Sequence, residues 1–363
     1  MRKTISNLHF ACTALLAILA VPAIRHLHLS TRINWRSIIL FYWVTLGYRS
    51  VLYAMAFCVL GLPLRQTVAP LIARYRKEKL RIVFAVAFLV VLYLVLPVTA
   101  AMILTVDALF IVELAERCKS EGVYRKAASI FVTAAYLFFG ITLVIIYNDI
   151  IVATRFPISY DAVLNQLDTR VLLGQSVSSI AHAAFAILPP RLIRFFDFAY
   201  FQMFFVMGAT LLVSAYTSRP RGLQFAGACL TAYYLTLLIF YFWPTYGPYM
   251  YCNIHAADFP RNLTSYIFQT SGMPGLQAIA QRKTQYLGTG YFIAFPSMHI
   301  GLPVIAMGFM RNWRRVFWCL ALYTCVLSCA VVILEWHYAL DVLGGLVVAA
   351  IALALVTAKP ATA

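Results

Sequence analysis

The chain has 363 residues, 63% hydrophobic and 11% charged, and its mean hydropathy of +0.83 lies far outside the soluble range. Its 29 Lys and Arg against 12 Asp and Glu give a net charge of +17. These cations are scattered through short loops, not gathered on a solvated domain, which excludes nucleic acid as the partner and points to the positive-inside effect and anionic lipid head groups. The composition predicts an all-α, polytopic integral membrane protein.

At roughly 20 apolar residues per bilayer crossing, the spans fall near 8–25, 37–62, 82–105, 127–149, 197–216, 223–243, 290–310, 315–334 and 338–358. The first follows Arg2 and Lys3 and is read as an uncleaved anchor, not a signal peptide. Arg49 lies inside the second and is assigned a structural role. The basic runs 65–81 and 117–126 both read as cytoplasmic, with one long apolar stretch between them. If Pro97 divides that stretch into a hairpin there are ten crossings, otherwise nine, and both counts stay open. The segment 176–190, with a single His182, fits a helix lying in the interface. Cys12, Cys58, Cys229, Cys319, Cys325 and Cys329 fall in apolar runs and read as small core hydrophobes. Only Cys118 and Cys252 lie in loops, too few for a disulfide framework or a metal cluster, so neither a metal nor a cofactor is expected.

Orientation follows from the short loops. Arg219 to Arg221 and the turn Arg311-Asn312-Trp313-Arg314-Arg315 are basic and are placed in the cytoplasm. Alternate counting then puts 151–195, 244–289 and the Glu335-Trp336-His337 junction on the exoplasmic side. That side also carries Asn262-Leu263-Thr264, a glycosylation sequon meaningful in a eukaryotic secretory membrane.

Two motifs on that side carry ionisable groups into apolar surroundings: Phe295-Pro296-Ser297-Met298-His299 and His337-Tyr338-Ala339-Leu340-Asp341. Pro296 suits the first position of a helix, where its missing amide costs nothing. The helix N-terminus, with the Ser297 hydroxyl, can then bind phosphoryl oxygens beside His299. His337 and Asp341, four apart, share a face if helical, so the carboxylate can orient the imidazole. One histidine would attack while the other donates and accepts protons. Tyr246 and Pro248, after the sixth span, are candidates to line a substrate entrance.

Pro296-Ser297-Met298-His299 followed by His337-x-x-x-Asp341 resembles the second and third signatures of the type 2 phosphatidic acid phosphatase superfamily. More narrowly, Ala294 to His299, Pro244-Thr245-Tyr246-Gly247-Pro248 and Leu167-Asp168-Thr169-Arg170-Val171-Leu172-Leu173-Gly174 are similar to the branch of the aureobasidin-resistance protein and inositol phosphorylceramide synthase. The resemblance covers roughly 127–358. It implies a six-helix catalytic core over 126–358, extra transmembrane helices in an N-terminal region 1–125 of unassigned role, and a cytoplasmic tail at 359–363. It also implies His337 as the nucleophile forming a phosphohistidine, Asp341 as its orienting partner and His299 as general acid and then base. Ser297, Pro296, Tyr246, Pro248 and Arg170 would bind substrate. The donor would be a membrane lipid phosphate, and the acceptor a lipid or sugar alcohol, or water.

The chain departs from the phosphatase branch in two places. No Lys-x6-Arg-Pro signature occurs, since Arg219-Pro220 is preceded by Leu212 at the lysine position, and Val331 stands where an arginine is expected six residues before the nucleophile. The inositol phosphorylceramide synthase branch also lacks that arginine. Candidates for the missing charge are Arg155, Arg170, Arg191, Arg194, Arg282 and Lys283. Phosphotransfer between lipids is therefore the first reading and lipid phosphate hydrolysis the alternative. A transporter would show inverted repeats and polar residues at mid-membrane in both halves, and the sequence shows neither.

Overall fold

The computed structural model describes residues 13–20, 22–24, 26, 27, 29, 121–251, 259–283 and 292–357. Two compact units divide the chain, 1–38 with 129–363 and 39–128. Of the second only 121–128 are described; the site and the helices that build it belong to the first. The predicted spans 37–62 and 82–105, Arg49, Cys118 and Cys252 lie outside the described residues.

Among the described residues the regular structure is helical. The helices are α1 (Glu121–Arg155), α2 (Asp161–Val171), α3 (Val177–Ile187), α4 (Pro190–Phe201), α5 (Met203–Thr217), α6 (Arg219–Phe242), α7 (Pro248–Tyr251), α8 (Thr264–Ala280), α9 (Met298–Met310), α10 (Arg314–Ile333) and α11 (Ala339–Thr357). A short apolar helix, Thr13–Ile24, lies on the first predicted span and packs within the first unit, through Thr13 against the Tyr234 hydroxyl and Leu16 O against Tyr147. Helices α6, α10 and α11 are each long and apolar enough to cross a membrane, and α4 with α5, bent by 40° at Gln202, makes a further candidate. Helix α1, with 35 residues, covers the predicted run 127–149.

Helix α9 is central, packing against α5, α6, α10 and α11, while α6 also packs on α5 and α11. Close approach of α9 and α11 needs glycine. A Cβ on Gly345 would overlap Ser297 O, one on Gly301 would lie 3.2 Å from Gly345 O, and one on Gly308 2.8 Å from Leu353. In a bilayer, where burial from water no longer drives helix association, such close backbone packing is a main source of cohesion.

Three expectations are corrected. The run 290–310 is not a continuous helix: Phe292 to Ser297 is irregular, with a bend at Phe295 and Pro296, and is held to the turn after α6 through Ala294 N to Thr245 O (3.0 Å), so α9 begins only at Met298. Pro296 is therefore not the first helical residue, because Ser297 is the N-cap. Cys319, Cys325 and Cys329 are exposed on α10, not buried in the core, because a lipid-facing surface is as apolar as an interior; Cys229 is buried as expected.

Candidate active site

The site begins with the start of α11. A helix N-terminus leaves its first amides without intrahelical partners. Here carboxylates take them: Asp341 Oδ2 accepts Tyr338 N–H (2.9 Å), while Asp168 on α2 accepts Ala339 N–H (3.0 Å) and Leu340 N–H (2.8 Å). The first contact is the backward arm of a capping box, and the other two pin α11 to α2. His337 thus sits just before the helix rather than on it, correcting the expectation of a shared helical face. Its amide and that of Trp336 both donate to Val331 O at 3.0 Å. Position 331 contributes a carbonyl to the site, and its side chain is fully buried.

The turn after α6 is held against this segment by another buried carboxylate. Asp161 accepts Tyr246 N–H (2.8 Å), Gly247 N–H (2.9 Å), the Tyr338 hydroxyl (3.1 Å) and the Ser159 hydroxyl. Gly247 has φ +99°, and a Cβ there would meet Trp336 O at 2.8 Å, so both conformation and space require glycine. Tyr249 N–H donates to Glu335 O, and Thr245 Oγ1 accepts Phe295 N–H, closing the turn onto both motifs.

Within this frame His337 Nδ1 lies 2.8 Å from Ala294 O and 3.2 Å from Asp341 Oδ2. Both neighbours are acceptors, so Nδ1 carries the proton and Nε2 keeps its lone pair. The His299 ring, in the first turn of α9, is centred 5.6 Å from that of His337. It stacks on Tyr200 (4.1 Å, 20°), which stacks in turn on Trp336 (5.0 Å, 7°); Trp336 donates to Ser265 Oγ at 2.9 Å. A further buried aspartate, Asp197, holds that end of α8 by accepting Thr264 and Ser265 N–H, both at 2.9 Å.

The fold therefore gathers His299, His337, Asp341, Ser297 and Pro296, with Tyr246 and Pro248 in the adjoining turn. Ser297 N–H donates to Asp341 O (3.0 Å), while Ser297 Oγ, Asp341 Oδ1 and Tyr246 OH are buried without a partner. Arg170 is exposed in the last turn of α2. It lies two residues, about 200° of helical rotation, from Asp168, whose side chain faces α11. Among the other candidate cations, Arg155 has a buried Nε without a partner and its guanidinium sits 5.4 Å from the Tyr241 ring centre.

Burial dominates the electrostatics outside the spans. It raises the carboxyls of Asp161 and Asp168 above the usual range even though their hydrogen bonds pull the other way. Burial also raises the Tyr246 phenol, helped by the Asp161 charge and opposed by Arg155. Glu335, 1% exposed and at φ +56°, is pushed up to about 7 by burial, partly offset by the Ser178 hydroxyl.

Asp161, Asp197 and Tyr200 belong to no site predicted from the sequence, and Asp168 and Thr245 enter it only as members of motifs. Asp197, between Phe196 and Phe198, carries the signal of an acidic residue in an apolar stretch that draws attention to Asp341, whereas Asp161 and Asp168 lie among polar residues and carry no such mark. Among the described residues no cluster of His, Cys, Asp and Glu has the arrangement of a metal site.

A family model described as the PAP2 superfamily matches residues 162–355. No curated protein and no solved structure matches the chain. With more than half of its length matched, and the matched region containing both histidine motifs, the chain belongs to the PAP2 superfamily, as an integral membrane member of a group of phosphatases and phosphotransferases.

Proposed function

We propose that this protein is a lipid phosphotransferase of the inositol phosphorylceramide synthase type, working through a phosphohistidine. The observation that carries the reading is the tautomer of His337: with Nδ1–H held by Ala294 O and Asp341, only Nε2 can attack. In the first half-reaction Nε2 forms a bond to phosphorus, the bond from phosphorus to the leaving oxygen breaks, and His299 protonates that oxygen. In the second, His299 takes the proton of the acceptor hydroxyl, the acceptor oxygen bonds to phosphorus, and the P–Nε2 bond breaks. Splitting one displacement into two lets a single positioned acid and base serve both. Asp341 favours the imidazolium character that develops on His337 during attack.

The first-turn amides of α9 lie beside His299 and, with the partnerless Ser297 Oγ, are suited to phosphoryl oxygens. Arg155 is the candidate cation with the best support for the role that Val331 cannot fill, because its charge acts on Tyr246 in the turn beside the site. Tyr246 and Pro248 would border the entrance for the lipid donor, and the site would face the exoplasmic side. Absence of the phosphatase branch's two basic signatures, together with the Ala-Phe-Pro-Ser-x-His form, favours transfer to an alcohol. Hydrolysis of a lipid phosphate or polyprenyl pyrophosphate is the second reading, since water can replace the alcohol in the same geometry.

The test gives purified protein a panel of phospholipids with and without a ceramide or other alcohol, with products followed by mass spectrometry alongside free phosphate. A head group transferred only when acceptor is present is the expected result. Phosphate release that is equal with and without acceptor would establish the hydrolase instead.

A further inference from the structure

A second polar site lies at the other end of the bundle, where nothing in the proposed reaction requires one. Helix α9 starts beside the histidine centre and runs away from it for 13 residues, roughly 20 Å. Where it ends, the start of α6 and the end of α11 meet it around a cavity of about 390 Å³. Its walls include Ser218, Arg221, Gln224, Arg311, Asn312 and Thr357, two cations and four neutral hydrogen-bonding side chains, with no carboxylate among the described residues of the lining.

The arrangement favours an anion in several ways. Ser218 is the N-cap of α6, so the positive end of that helix opens into the cavity. Arg221 is anchored by donating one Nη2 bond to Phe309 O, which fixes its guanidinium in the wall, while its Nε is buried without a partner. A planar guanidinium held this way meets a phosphate group without first losing side-chain freedom. Arg311 lines the same cavity from the end of α9, and the first turns of α6 and α10 carry Arg219, Arg314 and Arg315. Trp313, in the turn after α9, and Trp318, early in α10, are 48% and 61% exposed, as suits aromatic side chains at head-group depth.

We infer that this cavity binds the phosphate of an anionic phospholipid, as a site separate from the histidine centre and independent of the reaction assigned to that centre. The membrane setting selects the lipid over free phosphate. Of the three helices that form the cavity, α9 carries His299 and α11 carries Asp341 at their far ends, and α6 packs directly on both. Occupancy would therefore clamp the end of the bundle opposite the chemistry.

The experiment uses the full chain, delipidated in detergent, and measures retained lipid by native mass spectrometry after exposure to mixed micelles of phosphatidylglycerol and phosphatidylcholine. Phosphatidylglycerol is expected to be retained over phosphatidylcholine by roughly 5- to 30-fold, the effect of one to two arginines acting on a head group. Arg221→Gln with Arg311→Gln should remove the preference, and His337→Ala should keep it. Should the double variant fail to fold, Arg311→Gln alone, at an exposed position, carries the test and should weaken the preference. Equal retention of the two lipids, or an unchanged preference in the arginine variants, overturns the assignment. So does inorganic phosphate alone raising Tm as much as phosphatidylglycerol does, which would identify a site for the free anion.

Discussion

At His337 the carbonyl of Ala294 and the carboxylate of Asp341 both demand a proton on Nδ1, and that demand frees Nε2 for attack. His337→Ala and His299→Ala are each expected to lower kcat by at least about 1000-fold, and Asp341→Asn by at least about 100-fold, in the lipid transfer assay. A His337→Ala protein with full turnover would remove the phosphohistidine. Glu335 supports a different prediction. Its carboxyl sits at about 7 in the folded protein and near 4.5 when exposed, so the folded state holds the proton more tightly. The associated stability is fully present below pH 4.5 and is lost as the pH rises to about 7, on the order of 3 kcal/mol in all. Glu335→Gln should flatten Tm against pH between about 5 and 7, measured in detergent, and an unchanged slope would place the titration elsewhere.

At the scale of elements, buried aspartates from distant parts of the chain serve as caps. Asp168 and Asp197 each satisfy two amides at the start of a helix other than their own, and Asp161 satisfies two in the turn after α6. Removing such a group strands buried donors, so Asp168→Ala should cost about 2 to 4 kcal/mol. Since α11 begins two residues after His337, it should also lower kcat more than it raises KM. Normal Tm with normal kcat would show that the α2 contact is dispensable. Gly345→Ala drives a methyl group into Ser297 O and should destabilise by upwards of about 2 kcal/mol, with loss of activity as α9 and α11 part. The three exposed cysteines of α10 belong to this scale too. Hydrophobicity could not assign them to core or lipid, because both environments accept the same residues.

For the whole molecule, the prediction concerns sidedness. Asn262 is exposed, in the turn before α8, on the side assigned to the exoplasm. Expressed in a eukaryotic secretory membrane, the chain should be glycosylated there, and a mass shift removed by Asn262→Gln would report it. An unmodified Asn262, with Arg311→Cys labelled from the lumen, would invert the topology. A chelator should leave turnover intact, because the proposed chemistry uses only protein side chains and backbone groups.

Composition and hydropathy alone determined the class: a chain this apolar must cross a membrane, and the crossings over 197–216, 223–243, 315–334 and 338–358 coincide with helices because apolar length is set by bilayer thickness. The pair of histidine motifs was legible as well, since charged and polar residues in apolar runs stand out without any knowledge of their neighbours. Tertiary structure decided what depends on distant contacts. It placed the start of α9 at Met298, brought Asp161, Asp168 and Asp197 to amides 67 to 172 positions away, and stacked Tyr200 on His299. It also chose the protonated nitrogen of His337, whose second acceptor, Ala294 O, lies 43 residues back. A backbone carbonyl carries no residue identity, so no pattern in the sequence could mark it.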